Sequence, residues 1–283
     1  MIATSPARAL APRTALSLLV AGGCIVASIL ATQQGSASAV TSYRDAGAAP
    51  ASGAAPARTS STGAPSATAP FSLVFQAPFS GTAPDPRYWS IFHGPGNGTN
   101  GPKALANTFV SNGYLVLRAA PINGTWYGAG VCACGVVQTY GKYEMMVRFD
   151  AGYGIKTAAM LWPANGGWPP EVDFYEISEA DPTRSTNVLT NHWRDATGTH
   201  MEHGLSRGNF TQWHVVGLEW TPGALNFTLD GVVVKTMTSN VPKVPMWFGM
   251  NVSLGPPGVR PNTSTPSHVD ADIDWVKIYK YTG

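Results

Sequence analysis

The stretch GGWPPEVDFYEISEAD, Gly166 to Asp181, holds five of the sixteen acidic residues of a 283-residue chain in which charged residues make up only 12%. Its acids (Glu171, Asp173, Glu176, Glu179 and Asp181) alternate with Val172, Phe174, Tyr175 and Ile177, residue types that favour strands. Alternate side chains of a strand share a face, so Glu171 and Asp173 lie together. Strict alternation would give the next place on that face to Tyr175 and turn Glu176 away. A β-bulge near Phe174–Tyr175 inserts one residue and brings Glu176 back, leaving Val172 and Phe174 on the opposite side. Glu179 and Asp181 fall outside this set.

Three carboxylates on one face repel, so at least one pKa must rise. A protonated carboxyl beside an ionised one is the pair used in glycosidic-bond hydrolysis, where a retaining mechanism needs the two groups ~5–5.5 Å apart. With the bulge, Glu171 and Glu176 are four strand steps apart, ~13 Å between Cα atoms at ~3.3 Å per step, so their side chains must lean together over Asp173. The alternative is a solvated edge strand whose acids serve solubility. The flanking aromatics, and Trp168 in GGWPP at the strand's entry, weigh against it.

Around this strand the chain is rich in turn formers, with 31 Gly and 23 Pro, and 10% of it is aromatic. Short apolar or alternating runs recur from Phe71 onward: FSLVFQ, GYLVLRAA, GKYEMMVRFDA, TAAMLW, NVLTNHW, WHVVGLEW, ALNFTLDGVVVKTM, MWFGMNVSL and ADIDWVKIYKY. With no helical periodicity and no internal break, these predict one all-β domain over residues 70–283, an antiparallel β-sandwich of two large sheets. Leu229–Gly231 fits a tight hairpin turn. TGTHMEHG, with His200 and His203, reads as a polar loop rather than a metal site. A net charge of +2 gives no reason to expect nucleic acid as a partner.

Residues 1–39 read as a signal peptide: Arg8 and Arg13, an apolar run from Ala15 to Ala31, and the small-residue site Ala37–Ala39. An uncleaved membrane anchor remains the alternative. Residues 40–69, rich in Ala, Ser, Thr, Gly and Pro, read as a disordered tether. The expected protein is therefore exported or held at the cell surface, and monomeric. Cys132 and Cys134 put both thiols on one strand face, open either to a short disulfide or to simple packing.

WPPEVDFYE resembles the signature of glycoside hydrolase family sixteen, the laminarinase-like enzymes, in its bulged form Glu-x-Asp-x-x-Glu. The resemblance extends through FQAPFSGTAPDPRYWSIFHG, YGKYEMMVRFDAGYGIKTAAMLWPANGG, WHVVGLEWTPGALNFTLDGVVV and DIDWVKIYKY, in that order. It implies a concanavalin-like jelly roll and retaining hydrolysis of β-1,3- or β-1,3/1,4-glucan, with the polysaccharide as partner and no cofactor for catalysis. By position Glu171 matches the nucleophile, Glu176 the acid/base and Asp173 the aspartate that tunes the nucleophile. Ala77-Pro78 departs from the family's frequent Asp-Glu, and NVSLGPPG matches its Asn- and Gly-rich segment only loosely. The resemblance leaves a transglycosylase and a silent lectin-like binder as alternatives.

Sugars present apolar faces, so aromatic residues near the acids are candidate platforms. Trp162, Trp168 and Trp193 flank the acidic strand in sequence, and Trp126 with Tyr127 read as a loop reaching the cleft. His192 resembles the family histidine beside the acid/base, and Asn251 is a further candidate. Arg148 and Arg194 read by default as surface charge, with hydroxyl binding or pairing with carboxylates as the alternative. Trp89, Trp220 and Trp275 read as core. The resemblance also implies a structural calcium away from the cleft, with Asp274 and the Gly113 carbonyl as donors.

Overall fold

β-Branched and aromatic runs punctuated by Gly, Asn and Asp turns fold into strands almost throughout. The computed structural model describes residues 70–283 apart from Pro78, Asn97 and Gly98. The signal peptide and tether expected over residues 1–69 lie outside the described residues. Among those described, the only helical element is one 3-10 turn at Leu105–Asn107.

One sheet holds β1 (Phe71–Gln76), β3 (Thr108–Ser111), β4 (Tyr114–Ile122), β5 (Thr125–Tyr127), β7 (Gly141–Phe149), β12 (His214–Thr221), β13 (Ala224–Leu229), β14 (Val232–Met237) and β16 (Val269–Tyr281). Its order is β14-β13-β12-β7-β16-β4-β3, with β1 along β16 and β5 along β4. The second sheet holds β2 (Ser90–Ile91), β6 (Ala129–Cys132), β8 (Ile155–Pro163), β9 (Glu171–Ile177), β10 (Thr186–Asp195), β11 (Gly198–Arg207) and β15 (Met246–Leu254). Its order is β11-β10-β9-β8-β15-β6-β2, which places the acidic strand β9 near the middle. The architecture is the two-sheet antiparallel jelly roll expected from the sequence.

β7 and β8 alternate buried and half-buried residues along their whole length. Their buried rows, Tyr143, Met145, Val147 and Phe149 from one and Ile155, Ala159 and Leu161 from the other, join a single apolar core with Val172, Phe174, Tyr175 and Ile177 of β9. Each such large side chain contributes about 1.5–3 kcal/mol by leaving water. The hairpin after β13 turns at Asp230 and Gly231, with φ of 51° and 80°, values that an Asp-Gly pair tolerates.

Two segments differ from the sequence reading. TGTHMEHG, from Gly198 onward, lies in β11 and is paired with β10. It is an edge strand with mostly exposed side chains, so its composition matches that of a loop although its backbone is paired. Trp126 and Tyr127 lie in β5, paired to Pro121 and Ala120 of β4, rather than in a free loop. Cys132 and Cys134 are joined as a disulfide.

Candidate active site

The register around β9 contains the extra residue. On β10, Val188 faces Glu176 and Thr190 faces Asp173, so two steps on β10 match three on β9. On β8, adjacent Ala159 and Met160 face Tyr175 and Asp173, leaving Phe174 as the inserted residue. Phe174 and Tyr175 both turn into the core, the first against Phe248 and the second against Phe210. Glu171, Asp173 and Glu176 consequently share the outer face of the second sheet.

The bulge is held by Asn187. Its Oδ1 accepts the Glu176 backbone N–H at 2.7 Å. Its Nδ2 donates to the Phe174 carbonyl at 3.3 Å and to Ser206 Oγ on β11 at 3.2 Å. These backbone groups flank the point where the register slips, and a buried polar group without a partner costs about 1–3 kcal/mol. Asn187 is only 2% exposed, so water cannot readily replace it. Asn187→Ala is expected to lower kcat about tenfold or more with a smaller change in KM, because the backbone carrying Glu176 loses its anchor. Steady-state kinetics beside a thermal melt checks this; unchanged kcat in a folded variant would show that the bulge holds itself.

Burial is the largest influence on all three acids, raising Glu171 and Asp173 well above the ordinary carboxylate range and Glu176 less strongly. Mutual repulsion adds to this: the Asp173 charge pushes Glu171 up and the Glu176 charge pushes Asp173 up. Lys156, on the same face of β8, pulls Asp173 and Glu176 back down. Three full negative charges side by side are therefore disfavoured on this face.

The hydrogen bonds sort the acids. Glu171 Oε2 accepts the Trp168 indole N–H at 2.5 Å and shares a side-chain hydrogen bond with Asp173. His192, opposite Glu171 on β10, brings Nε2 to 3.4 Å from Asp173 Oδ2. Donor atoms of Glu171, Asp173 and His192 lie within 4.8 Å of one another, a spacing a cation could use. The indole N–H already points its positive end at Glu171, which disfavours a cation at that oxygen.

Alternation also orders the neighbouring strands. Ala158 and Met160 face Glu176 and Asp173, so Lys156 and Trp162 share their side of β8. On β15, Trp247 lies opposite Trp162 and Asn251 opposite Ala158, with Asn251 Oδ1 accepting from Ser253 Oγ at 2.6 Å. Trp247 lies across Gly249, where a Cβ would stand 2.7 Å from its ring. Phe92 lies across Gly130 in the same way, at 2.8 Å, with its ring 6.3 Å from that of Trp247. Phe92, Trp247 and Trp162 thus form an aromatic wall over a floor relieved by two glycines. The sequence reading found Trp162 and Asn251 but missed Trp247, although it lies four residues before Asn251 in one strand, and also missed Phe92 and Lys156.

Other expected positions change. Trp193 follows His192 and alternates to the opposite face of β10, where it stacks on His200 rather than lining the acidic face. Trp126 packs against the main core, and no contact among the described residues brings it to the acids. Trp168 reaches Glu171 through its N–H as well as flanking the cleft. Trp89 and Trp220 are core as expected, but Trp275 is half-buried outside it, under Lys277. Arg148 pairs with Asp272 on the other sheet, 2.8 Å away, and has no part in the cleft.

An antiparallel jelly roll carrying carboxyls at bulged Glu-x-Asp-x-x-Glu spacing on one outer face defines a carbohydrate-processing class of sandwich. The chain belongs to the glycosyl hydrolases family 16, whose pattern matches residues 108–277. It is 29% identical over 192 residues to the endo-1,3-1,4-beta-glycanase ExsH of Rhizobium meliloti, covering 63% of this chain and 41% of that protein. It is 28% identical over 196 residues to the endo-1,3-1,4-beta-glycanase EglC of the same organism, covering 65% and 42%. The chain thus spans about two-fifths of the length of these relatives. The catalytic domain of an endo-1,3-beta-glucanase (laminarinase) from Thermotoga petrophila superposes with a TM-score of 0.64 at 23% identity, over 75% of this chain and 99% of that one.

Proposed function

We propose that the chain is an endo-acting β-glycanase that hydrolyses β-1,3- or β-1,3/1,4-glucan with retention of configuration. The observation that carries the reading is the Phe174 bulge, which gathers Glu171, Asp173 and Glu176 on one face beside an aromatic wall. Glu171, stabilised as an anion by the Trp168 N–H, attacks the anomeric carbon. Glu176, its pKa raised by burial, protonates the departing glycosidic oxygen and then deprotonates the water that releases the glycosyl-enzyme. Asp173, fully enclosed between them, shares a side-chain hydrogen bond with Glu171 that holds the nucleophile in place. Trp162, Trp247 and Phe92 offer faces for sugar rings, while His192 and Asn251 present polar atoms beside the acids. Names of the relatives above support a glucan substrate.

A panel of laminarin, lichenan, agarose, carrageenan and xyloglucan, with products sized, tests this. Internal cleavage of laminarin or lichenan supports the reading; release from agarose or carrageenan alone reassigns the substrate. Transfer products formed with added acceptor sugars would identify the transglycosylase, and retention of glycan without product the lectin-like binder. We read the protein as exported and monomeric, with residues 1–39 directing export or anchoring it to the membrane. Mass determination of the mature chain and sedimentation test these two readings.

No cofactor takes part in the proposed steps. Asp274 is the bulged residue of β16 against β7, half-buried and without a hydrogen bond or ion pair among the described residues. Its neighbour Ile273 faces Leu115, beside the turn containing Gly113. An unpaired carboxylate on a bulge, on the strand that pairs with the one following the Gly113 turn, suits a structural calcium, which would bind there away from the cleft. Chelation with EDTA is then expected to lower Tm while initial rates at moderate temperature stay unchanged. A Tm unaffected by EDTA and by added calcium would remove the ion from the account.

A further inference from the structure

Trp193 is the conspicuous aromatic that the cleft does not use. Alternation turns it away from His192 and the three acids, and it is not part of the main core. It lines a cavity of about 450 Å³ with Arg194, Pro222, Thr238, Asn240 and Lys243, within the ~300–1,000 Å³ range of small-ligand sites.

The walls of this cavity are braced by contacts within the protein. One face of Trp193 rests on His200, with the rings 5.6 Å apart and 24° from parallel. His200 Nε2 is tied to Asp195 Oδ1 and Thr197 Oγ1, each at 2.9 Å. The opposite wall, the connection from β14 to β15, is fastened from beneath. Asn191 Nδ2 donates to the carbonyls of Ser239 and Asn240, both at 3.3 Å, and Trp220 Nε1 donates to that of Pro242 at 3.0 Å. Neither Arg194 nor Lys243 forms an ion pair among the described residues; Arg194 Nε donates to Thr199 Oγ1 at 3.4 Å, which leaves the other guanidinium N–H groups and the Lys243 ammonium for a ligand. A braced indole facing hydroxyl-binding donors and the Asn240 amide matches the needs of a sugar ring, with one apolar face and a polar rim.

The geometry points to a second saccharide site at Trp193, separate from the carboxylate cleft, that holds a β-glucan chain without cleaving it. Its polar groups are cations, amides and hydroxyls with no acid pair, so it binds and does not hydrolyse. The choice of ligand rests on the β-glucan reading of the cleft. A site that grips the same polymer outside the cleft would keep the enzyme on a long or insoluble substrate between cleavages by raising local concentration.

The test uses Glu171→Gln, which stops turnover, titrated calorimetrically with a β-1,3-linked glucose hexamer. Two molecules bound per chain are expected, falling to one when Trp193→Ala is added. Lys243→Met on the opposite wall, with Trp193 in place, should weaken the second site about tenfold, which keeps the test valid if Trp193→Ala misfolds. A single site in Glu171→Gln, no binding of the hexamer, or two undiminished sites in both double variants overturns the proposal. Failure of the cleft reading shows separately, as no reducing sugar released from laminarin by the unsubstituted chain, whatever the Trp193-dependent binding.

Discussion

Glu171→Gln is expected to lower β-glucan hydrolysis by about 10⁴-fold or more, because the amide cannot form the covalent glycosyl-enzyme. The same variant should melt higher than the parent at pH 7. Burial raises Glu171 well above its ordinary value of 4.5, with the Asp173 charge adding to the shift. A carboxyl whose folded pKa exceeds its unfolded value binds its proton more tightly when folded. The stability it contributes is complete below the unfolded value and is lost as pH rises through the folded one. Glutamine has no proton to lose, so the variant escapes that loss at pH 7 and gains little near pH 4. Melting the two proteins across this range tests the electrostatics separately from the chemistry. A variant less stable than the parent at pH 7 would mean that the Trp168 hydrogen bond to Glu171 outweighs the burial of its charge.

The parent's activity profile follows from the same groups. Hydrolysis needs one proton on the pair, with Glu171 ionised and Glu176 protonated, so the rate falls on the acid side as the pair takes up a second proton. It falls on the alkaline side as the pair loses its last one. Both groups are raised by burial, so the bell should be displaced upward from the range of free carboxylates.

The decisive strand was legible because a strand's period is two and any insertion shows as a break in it. Two residues between Asp173 and Glu176, where alternation allows one, indicated the bulge before any coordinates. The same rule, carried along MWFGMNVSL from Asn251, also yields Trp247. Trp193 was misplaced because proximity in sequence to His192 was taken for proximity in space, whereas neighbouring strand residues face opposite ways. β11 was hidden because an edge strand with one side in water carries the polar composition of a loop. Asn187 had no local signature: its task is to pair backbone groups of Phe174 and Glu176 from another strand, which neither its type nor its spacing reveals. Phe92 and Trp247 depend in turn on missing Cβ atoms at Gly130 and Gly249, and those contacts exist only once the strands are assembled.

Arg184→Met is expected to destabilise the domain by about 3–5 kcal/mol, comparable to breaking a buried ionic contact. Arg184 has no solvent exposure, and burial lowers its pKa to about 10, so it is still charged at neutral pH. Its charge is met by backbone carbonyls. Nε donates to Asp150 at 2.8 Å and Nη2 to Gly152 at 2.7 Å. Nη1 is shared among Ile155 at 2.9 Å, Asp181 at 3.0 Å and Ser178 at 3.3 Å. The guanidinium also lies 4.0 Å from the centre of the Phe149 ring. These carbonyls belong to the turn leading into β8 and to the connection leaving β9, so one side chain ties together the ends of the two strands that carry Lys156 and the acids. Methionine fills much of the space but leaves these carbonyls short of donors in a dry site. Lysine should recover little, because a single ammonium cannot span acceptors arranged for a planar fork. For a domain of this size the loss corresponds to a Tm about 10 °C lower, measurable by calorimetry, with urea midpoints as a second reading. A methionine variant within about 1 kcal/mol of the parent would show that the desolvation of the guanidinium cancels its hydrogen bonds. The tie between β8 and β9 would then rest on the strand pairing alone.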